Sequence, residues 1–243
     1  MRIFAAHLRF RALEFARVPF AIVPTLAFPV MITLFFLIPN LPADAADQGV
    51  AVVLLFSFTM LGIFIFGAGT AQERSMPWDA YLRTLPVRAR TVLGANMLVG
   101  FCFALTGALP AIVLINWQLD LVLPIGRWPL LAGAVMLGAM SMSGIGLTIG
   151  YLLPPKAAIA TANVLFLPMA FVGGLLGPPE LLPGWAAAVG WGTPMRPWVE
   201  LSMATAAGAG THAWLWLVAA LWGIALGALA TWAYRRDQDR RYS

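Results

Sequence analysis

Apolar residues in this chain occur in long stretches, separated by short polar segments that hold most of the charge. Each stretch has about the 20 residues that a helix needs to cross about 30 Å of hydrocarbon. A membrane barrel would instead alternate apolar and polar residues in segments of about ten, so the pattern favours helices over strands. The predicted spans are residues 20–38, 50–71, 92–116, 128–153, 157–176 and 212–234.

The overall composition supports this prediction. Hydrophobic residues make up 61% of the chain and charged residues 10%, whereas a soluble domain is roughly 45–50% apolar and about 25% charged. Backbone groups find no hydrogen-bond partner in lipid, so apolar material of this kind spans as helices or closed barrels. We therefore expect an all-α integral membrane protein, with residues 1–243 forming one transmembrane domain.

Before the first span, residues 1–18 mix apolar and basic positions at roughly helical spacing. This pattern predicts an amphipathic helix lying in the membrane interface. A cleaved signal peptide is the alternative, because Ala43-Asp44-Ala45 loosely matches a cleavage site. The long basic region with its own apolar face argues against cleavage. The alternating residues are Arg2, Ile3, Leu8, Arg9, Arg11, Leu13, Phe15 and Arg17.

Small residues recur four positions apart within three predicted spans or at their ends. Such pairs let helix backbones approach closely in lipid. Packing within the chain is favoured over a dedicated seam between two copies, since the pattern is common in any bundle. The pairs are Gly146 with Gly150, Gly173 with Gly177, and Gly223 with Gly227.

The distribution of basic residues predicts the orientation. Of the fifteen Lys and Arg residues, only Arg127 and Arg196 fall on one side of the predicted membrane. The other thirteen fall on the opposite side, which the positive-inside rule makes cytoplasmic. Both chain ends are therefore expected in the cytoplasm. The basic clusters lie at the ends of apolar stretches, which favours contact with lipid headgroups over binding to nucleic acid.

Several chemistries are disfavoured by residues that the chain lacks. No ionisable residue lies in the middle of a predicted span, which argues against a proton-coupled carrier or a charged ion channel. His7, His212 and Cys102 are too few and too far apart in the sequence to close a tetrahedral metal site. Neither histidine is expected at the depth of Ser143, so a membrane-embedded serine protease lacks its base. The sequence has no phosphate-binding loop of the G-x-x-x-x-G-K-[ST] type.

The predicted cytoplasmic segment at residues 76–90 reads as a short amphipathic helix. Pro77 suits its first turn and Pro86 ends it. Trp78, Tyr81, Leu82 and Leu85 form its apolar face. The helix either docks on a partner protein or rests on anionic headgroups, and the sequence pattern does not separate these two roles.

A second non-spanning segment, residues 177–211, is apolar but interrupted by five prolines. Short helices that enter the outer leaflet and return fit this pattern better than another span. Its tryptophans, Trp185, Trp191 and Trp198, are expected at headgroup level. Its polar groups are Glu180, Arg196 and Glu200, for which anchoring and formation of a lid are favoured over substrate chemistry.

At these two segments the chain resembles the permease subunits of type-2 ATP-binding cassette transporters, which are mostly bacterial exporters. The departures are Ser75-Met76-Pro77, where the family often has a glycine, and Asn96 in place of a common lysine. The cytoplasmic residues that match the family pattern are Glu73, Arg74, Leu82, Leu85, Pro86, Val87, Arg88, Leu93, Gly94 and Asn96. Those in the fifth span and the outer segment are Pro168, Phe171, Gly174, Pro178, Leu182, Pro183, Pro194 and Glu200.

The resemblance implies a permease in the bacterial inner membrane that is powered by a separate cytoplasmic ATPase, which would hold ATP and Mg²⁺. The chain itself is then not an enzyme and carries no cofactor. Residues 1–18 would be the elbow helix and residues 76–90 the coupling helix seated on the ATPase. The residues expected to couple to the ATPase are Glu73, Arg74, Trp78, Tyr81, Leu82, Leu85 and Arg88.

Six spans would be half a transporter, so the resemblance also implies a second copy or a similar permease as partner. The expected activity is export of a drug, antibiotic or lipid-like compound by alternating access. A membrane anchor that transports nothing is the alternative. The substrate path is expected to include Phe56, Met60, Phe64, Asn163, Phe166 and Met169, although packing is an alternative role for each. The outer gate would include Glu180, Arg196 and Glu200.

Overall fold

The computed structural model describes residues 19–76, 89–119, 121, 123–176 and 182–242. Within these ranges the chain is helical and has no strand, which confirms the all-α prediction. The predicted elbow at residues 1–18 and most of the predicted coupling helix at residues 76–90 lie outside the described residues.

Twelve α- and π-helical segments follow one another along the described chain, besides short 3-10 turns at Ala43–Ala45 and Ile125–Arg127. They are α1 (Pro19–Ile32), π1 (Thr33–Leu37), α2 (Ile38–Asn40), α3 (Ala46–Phe64), π2 (Ile65–Gly69), α4 (Thr70–Ser75), α5 (Ala89–Gln118), α6 (Trp128–Leu152), α7 (Pro155–Val172), α8 (Gly184–Trp191), α9 (Met195–Ala207) and α10 (Ala213–Tyr242). Segments π1 and π2 are π-helical turns that continue their flanking helices without a break.

Five helices are long and apolar enough to cross a bilayer, and they coincide with the last five predicted spans. They cover Ala46–Ser75, Leu98–Gln118, Ile125–Leu152, Pro155–Val172 and Ala213–Gln238. The first predicted span is helical as well, from α1 to α2. Among residues whose side chains are described, its apolar helix covers Leu26–Asn40, so the sixth span stays a prediction.

Helix α3 is the centre of the bundle, because it is the most deeply buried of the five long helices. It packs against α5, α6 and α9. Val50, Leu55 and Ile63 are completely buried although they lie on different faces of the helix. A helix that is apolar all round suits this central position.

The Gly146 and Gly150 pair brings α6 against α3 and π2. A Cβ added at Gly150 would lie 2.7 Å from the carbonyl oxygen of Phe66, and one at Gly146 would overlap the carbonyl oxygen of Gly62. Packing within the chain is therefore confirmed for this pair. In the third pair, a Cβ added at Gly223 would contact Ser141 of α6, whereas one at Gly227 would have no described atom within 4 Å.

Helices α8 and α9 form a short hairpin in which most of α9 is buried and most of α8 is exposed. At its inner end Gly190 and Met195 lie against the end of α7, at Val172 and Gly173. Helix α9 then runs back until Arg127 donates a hydrogen bond to the carbonyl oxygen of Ala206 at 3.1 Å. We call the region around Arg127 the Arg127 end of the bundle.

The prediction that Trp198 lies at headgroup level is wrong. Its side chain is buried and lies 3.2 Å from the position of a Cβ added at Gly138 of α6. Gly138 is about 15 Å along the helix from Trp128, at a rise of about 1.5 Å per residue. The apolar side chains in the first turn of α9 therefore pack deep in the bundle.

Candidate functional site

Phenylalanines join α3 to α7 in the middle of the bundle. The ring of Phe166 lies 5.4 Å from that of Phe56 and, edge-on, 5.7 Å from that of Phe64. Phe56 is 2% exposed and Phe166 is 3% exposed. These three residues of the predicted substrate path are thus brought together, and within the single chain they are packed side chains.

The remaining predicted path residues differ in position. Met60 and Met169 are half-buried and pack against the apolar core. Asn163 is instead exposed, and its amide group donates a hydrogen bond to the carbonyl oxygen of Ile159 one turn earlier, at 2.9 Å. Asn163 therefore lies on an open face of α7, three residues before Phe166 of the phenylalanine cluster.

A second cluster lies at the opposite end of the bundle from Arg127. The guanidinium of Arg74 pairs with the carboxylate of Asp237 on α10, with Nε at 3.2 Å from Oδ2. Its Nη1 donates to the carbonyl oxygen of Gly150 at 2.5 Å, and its Cζ lies 5.8 Å from the ring of Tyr151. Arg74 thus connects α4, α6 and α10 at what we call the Arg74 end.

Tyrosines extend this connection between α6 and α10. The rings of Tyr151 and Tyr234 meet edge-on at 5.2 Å. The side-chain amide of Gln238 donates to the Tyr234 hydroxyl at 2.7 Å. The Arg74 end is therefore held by polar and aromatic contacts, whereas the middle of the bundle is held by apolar packing.

The third cluster surrounds Arg196 in the first turn of α9. Arg196 is 7% exposed, and its Nη2 pairs with Oε1 of Glu200 at 2.7 Å. Its Cζ lies 5.2 Å from the ring of Trp191. Ten residues separate Arg196 from Ala206 at the Arg127 end, which is about 15 Å along α9. Trp191 also contacts Trp214 in the first turn of α10, so the pair of charges lies between the start of α9 and the Arg127 end of the bundle.

The ABC-2 type transporter family matches the chain over residues 4–206. The chain belongs to this family. It is also 26% identical over 156 residues to YvfS of Bacillus subtilis (strain 168), a protein named as a transport permease. The aligned part covers 62% of this chain and 62% of that protein. The family places the chain among the membrane components of ATP-binding cassette transporters.

Some of the predicted sites of this ABC-2 chain fall outside the described residues. They are the coupling residues Trp78, Tyr81, Leu82, Leu85 and Arg88, and the gate residue Glu180. Glu73 is described and is half-buried. The roles proposed for all of these residues in transport stay predictions.

Two features of the ABC-2 chain were missed by the sequence analysis. Asp237 is the buried partner of Arg74, and its sequence signal is limited to an acidic residue directly after Arg235 and Arg236, with Asp239 two positions later. The buried hydrogen-bonding atoms of α9 were also missed: Nε and Nη1 of Arg196, Nε1 of Trp198 and Oγ of Ser202 have no partner among the described residues.

Ser143 has a packing role in this ABC-2 chain. Its hydroxyl donates to the carbonyl oxygen of Ala139 in the same helix, at 2.7 Å. A Cβ added at Gly62 would lie 2.7 Å from the same hydroxyl. The serine therefore fills the contact between α6 and α3.

Proposed function

We propose that this chain is the membrane-spanning half of an ATP-driven exporter for amphipathic compounds such as drugs, antibiotics or lipid-like molecules. A separate cytoplasmic ATPase would supply the energy, and a second permease would complete the path. The match to the ABC-2 family over residues 4–206 supports the assignment to an ATP-binding cassette transporter. The direction of transport is inferred from the resemblance to bacterial exporters, and the substrate class from the apolar side chains along the proposed path.

The observation that supports the proposal of a half-transporter is the exposed side-chain amide of Asn163. Polar side chains in membrane helices usually face the bundle interior or a cavity, because exposure to lipid is unfavourable. Asn163 shares the open face of α7 with Val164 and Leu167, both well exposed. A second copy covering this face would give the amide a polar or wet environment. The path between the two copies would then run along α7.

The walls of such a path would be apolar and adaptable. Phe64, Met60 and Met169 are each partly accessible beside the buried phenylalanines. Methionine and aromatic side chains adapt to ligands of different shape. An apolar wall recognises shape and hydrophobicity, which fits an amphipathic substrate better than an ion.

The Arg74 cluster offers a route for coupling to the ATPase. Arg74 lies two residues before the predicted coupling helix at residues 76–90, and its side chain pairs with Asp237 of the last helix. A push on the coupling helix would therefore act on α4 and α10 together. This connection supports a mechanism in which ATP binding switches the path from one side to the other.

Reconstitution with the partner ATPase tests the proposal. The two proteins are purified together in proteoliposomes that contain a fluorescent amphipathic dye. We expect hydrolysis of ATP that vanadate inhibits, and movement of the dye that requires ATP. A stable complex that hydrolyses ATP without moving any compound from a panel of amphipathic dyes would instead favour a non-transporting membrane anchor.

A further inference from the structure

Arg196 has more hydrogen-bonding capacity than its surroundings use. One nitrogen, Nη2, pairs with Glu200. The other two, Nε and Nη1, are shielded from solvent and have no acceptor among the described residues. A guanidinium carries five N–H donors and binds carboxylate or phosphate oxygens strongly. A buried cation that is half satisfied is costly, and in a membrane protein it usually marks a functional site.

The ring of Trp191 lies between the Arg196 guanidinium and the accessible surface of the bundle. Trp191 stacks against the guanidinium but is itself 39% exposed. Its ring also lies 5.3 Å from that of Trp214 on α10, which is exposed as well. The two indoles form an apolar cover with the charge beneath it. A molecule with an apolar tail and an anionic head would match both parts.

We propose that Arg196 binds the anionic headgroup of an amphipathic molecule, with a phosphate or carboxylate oxygen accepting from Nε and Nη1. The apolar tail of that molecule would lie on Trp191 and Trp214. Assigning the bound molecule as cargo rests on the proposed export function, whereas the site itself does not. Entry requires that the Trp191 ring moves aside.

Glu200 allows a test in which a substitution should strengthen binding, which a merely structural ion pair would not predict. Its carboxylate occupies one edge of the guanidinium and repels a second anion nearby. Removing its charge with Glu200→Gln should therefore strengthen binding of an anionic head. Removing the cation with Arg196→Gln should weaken it.

Binding of radiolabelled dodecyl phosphate to the intact chain in phosphatidylcholine nanodiscs tests the site, with empty nanodiscs as background. Loss of a charged hydrogen-bond donor costs about 1.5–3 kcal/mol, so Arg196→Gln should weaken binding by about tenfold or more. Glu200→Gln should tighten it several-fold. Arg127→Gln is the matched control, because Arg127 lies at the opposite end of α9, where it bonds to Ala206. The affinity of this variant for dodecyl phosphate should equal that of the wild type.

Equal affinity in the wild type and in Arg196→Gln would overturn the proposal, as would weaker binding in Glu200→Gln. Misfolding cannot imitate the tighter binding expected of Glu200→Gln, which keeps the test decisive if Arg196→Gln fails to fold. Dodecyltrimethylammonium, which has the same tail and the opposite charge, should not compete. Competition by inorganic phosphate at the same concentration would assign the site to a free anion. Binding of dodecyl phosphate without ATP-driven transport would support the Arg196 site and contradict the proposed export function.

Discussion

Arg74 of α4 and Asp237 of α10 form an ion pair, although they are 163 residues apart in the sequence. The pair ties the segment just before the predicted coupling helix to the last helix of the bundle. The carbonyl oxygen of Gly150 accepts from the same guanidinium, so three helices meet at one side chain.

Removing the charge of Asp237 should destabilise the protein. Asp237→Ala leaves Arg74 without its carboxylate, and loss of one partner of a buried pair costs about 3–5 kcal/mol. Because Arg74 is 17% exposed, we expect the lower end, about 3 kcal/mol. Thermal unfolding in detergent measures the change. Arg235→Gln, at an exposed position two residues earlier, should leave the unfolding temperature unchanged, and equal effects of both variants would contradict a role for the ion pair.

Gly146 should not tolerate even a methyl group. In Gly146→Ala the new Cβ would collide with the carbonyl oxygen of Gly62, and overpacking of this kind costs about 1–3 kcal/mol. Gly133→Ala changes the same helix where nothing lies within 4 Å. It should be neutral or stabilising by up to about 1 kcal/mol. Thermal unfolding compares the two, and a stable Gly146→Ala would disprove the close approach of α3 and α6.

Gly208 ends α9 in a left-handed conformation with φ +69°. A side chain there is strained by about 1–2 kcal/mol, and its Cβ would also collide with the guanidinium of Arg127. We expect Gly208→Ala to lower the free energy of unfolding by at least this amount. Gly210→Ala, at a position with open space, is the control for thermal unfolding. Similar losses in both variants would rule out the contact with Arg127 as the cause.

Phe166 should matter more than its neighbour Leu167. Phe166→Ala removes the ring that contacts both Phe56 and Phe64, and such a cavity costs about 3–5 kcal/mol. Leu167 is 56% exposed, so Leu167→Ala should cost far less. Unfolding in detergent gives the stability. In proteoliposomes, Phe166→Ala should also change the relative transport of large and small dyes, and an unchanged dye preference would remove Phe166 from the substrate path.

Tyr81 is predicted to be buried against the ATPase. Tyr81→Asp places a charge in that apolar contact and should prevent the ATPase from co-purifying with the permease. Ala80→Asp is the matched control, because it adds the same charge on the opposite face of the predicted helix. Retention of the ATPase by both variants would contradict the coupling role of residues 76–90.

The helical spans could be predicted from the sequence because lipid enforces a local rule. Every backbone group must be satisfied within its own helix, and about 20 apolar residues are needed to cross. Residues 50–71 and 128–153 were therefore found to within a few positions of helices α3 to α4 and α6. The close approach at Gly146 was also predictable, because only small residues permit it.

The burial of individual side chains and the identity of the residues that they contact depended on the tertiary structure. The sequence placed Trp198 and Arg196 in a broken outer segment, and the fold buries both because α8 and α9 turn back into the bundle. Nothing near Arg74 in the sequence points to Asp237, since the contact is made when α10 packs against α4. The sequence by itself determined which segments enter the membrane, since that depends on local hydrophobicity. Which side chains meet there depends on how the helices pack, and only the tertiary structure decided it.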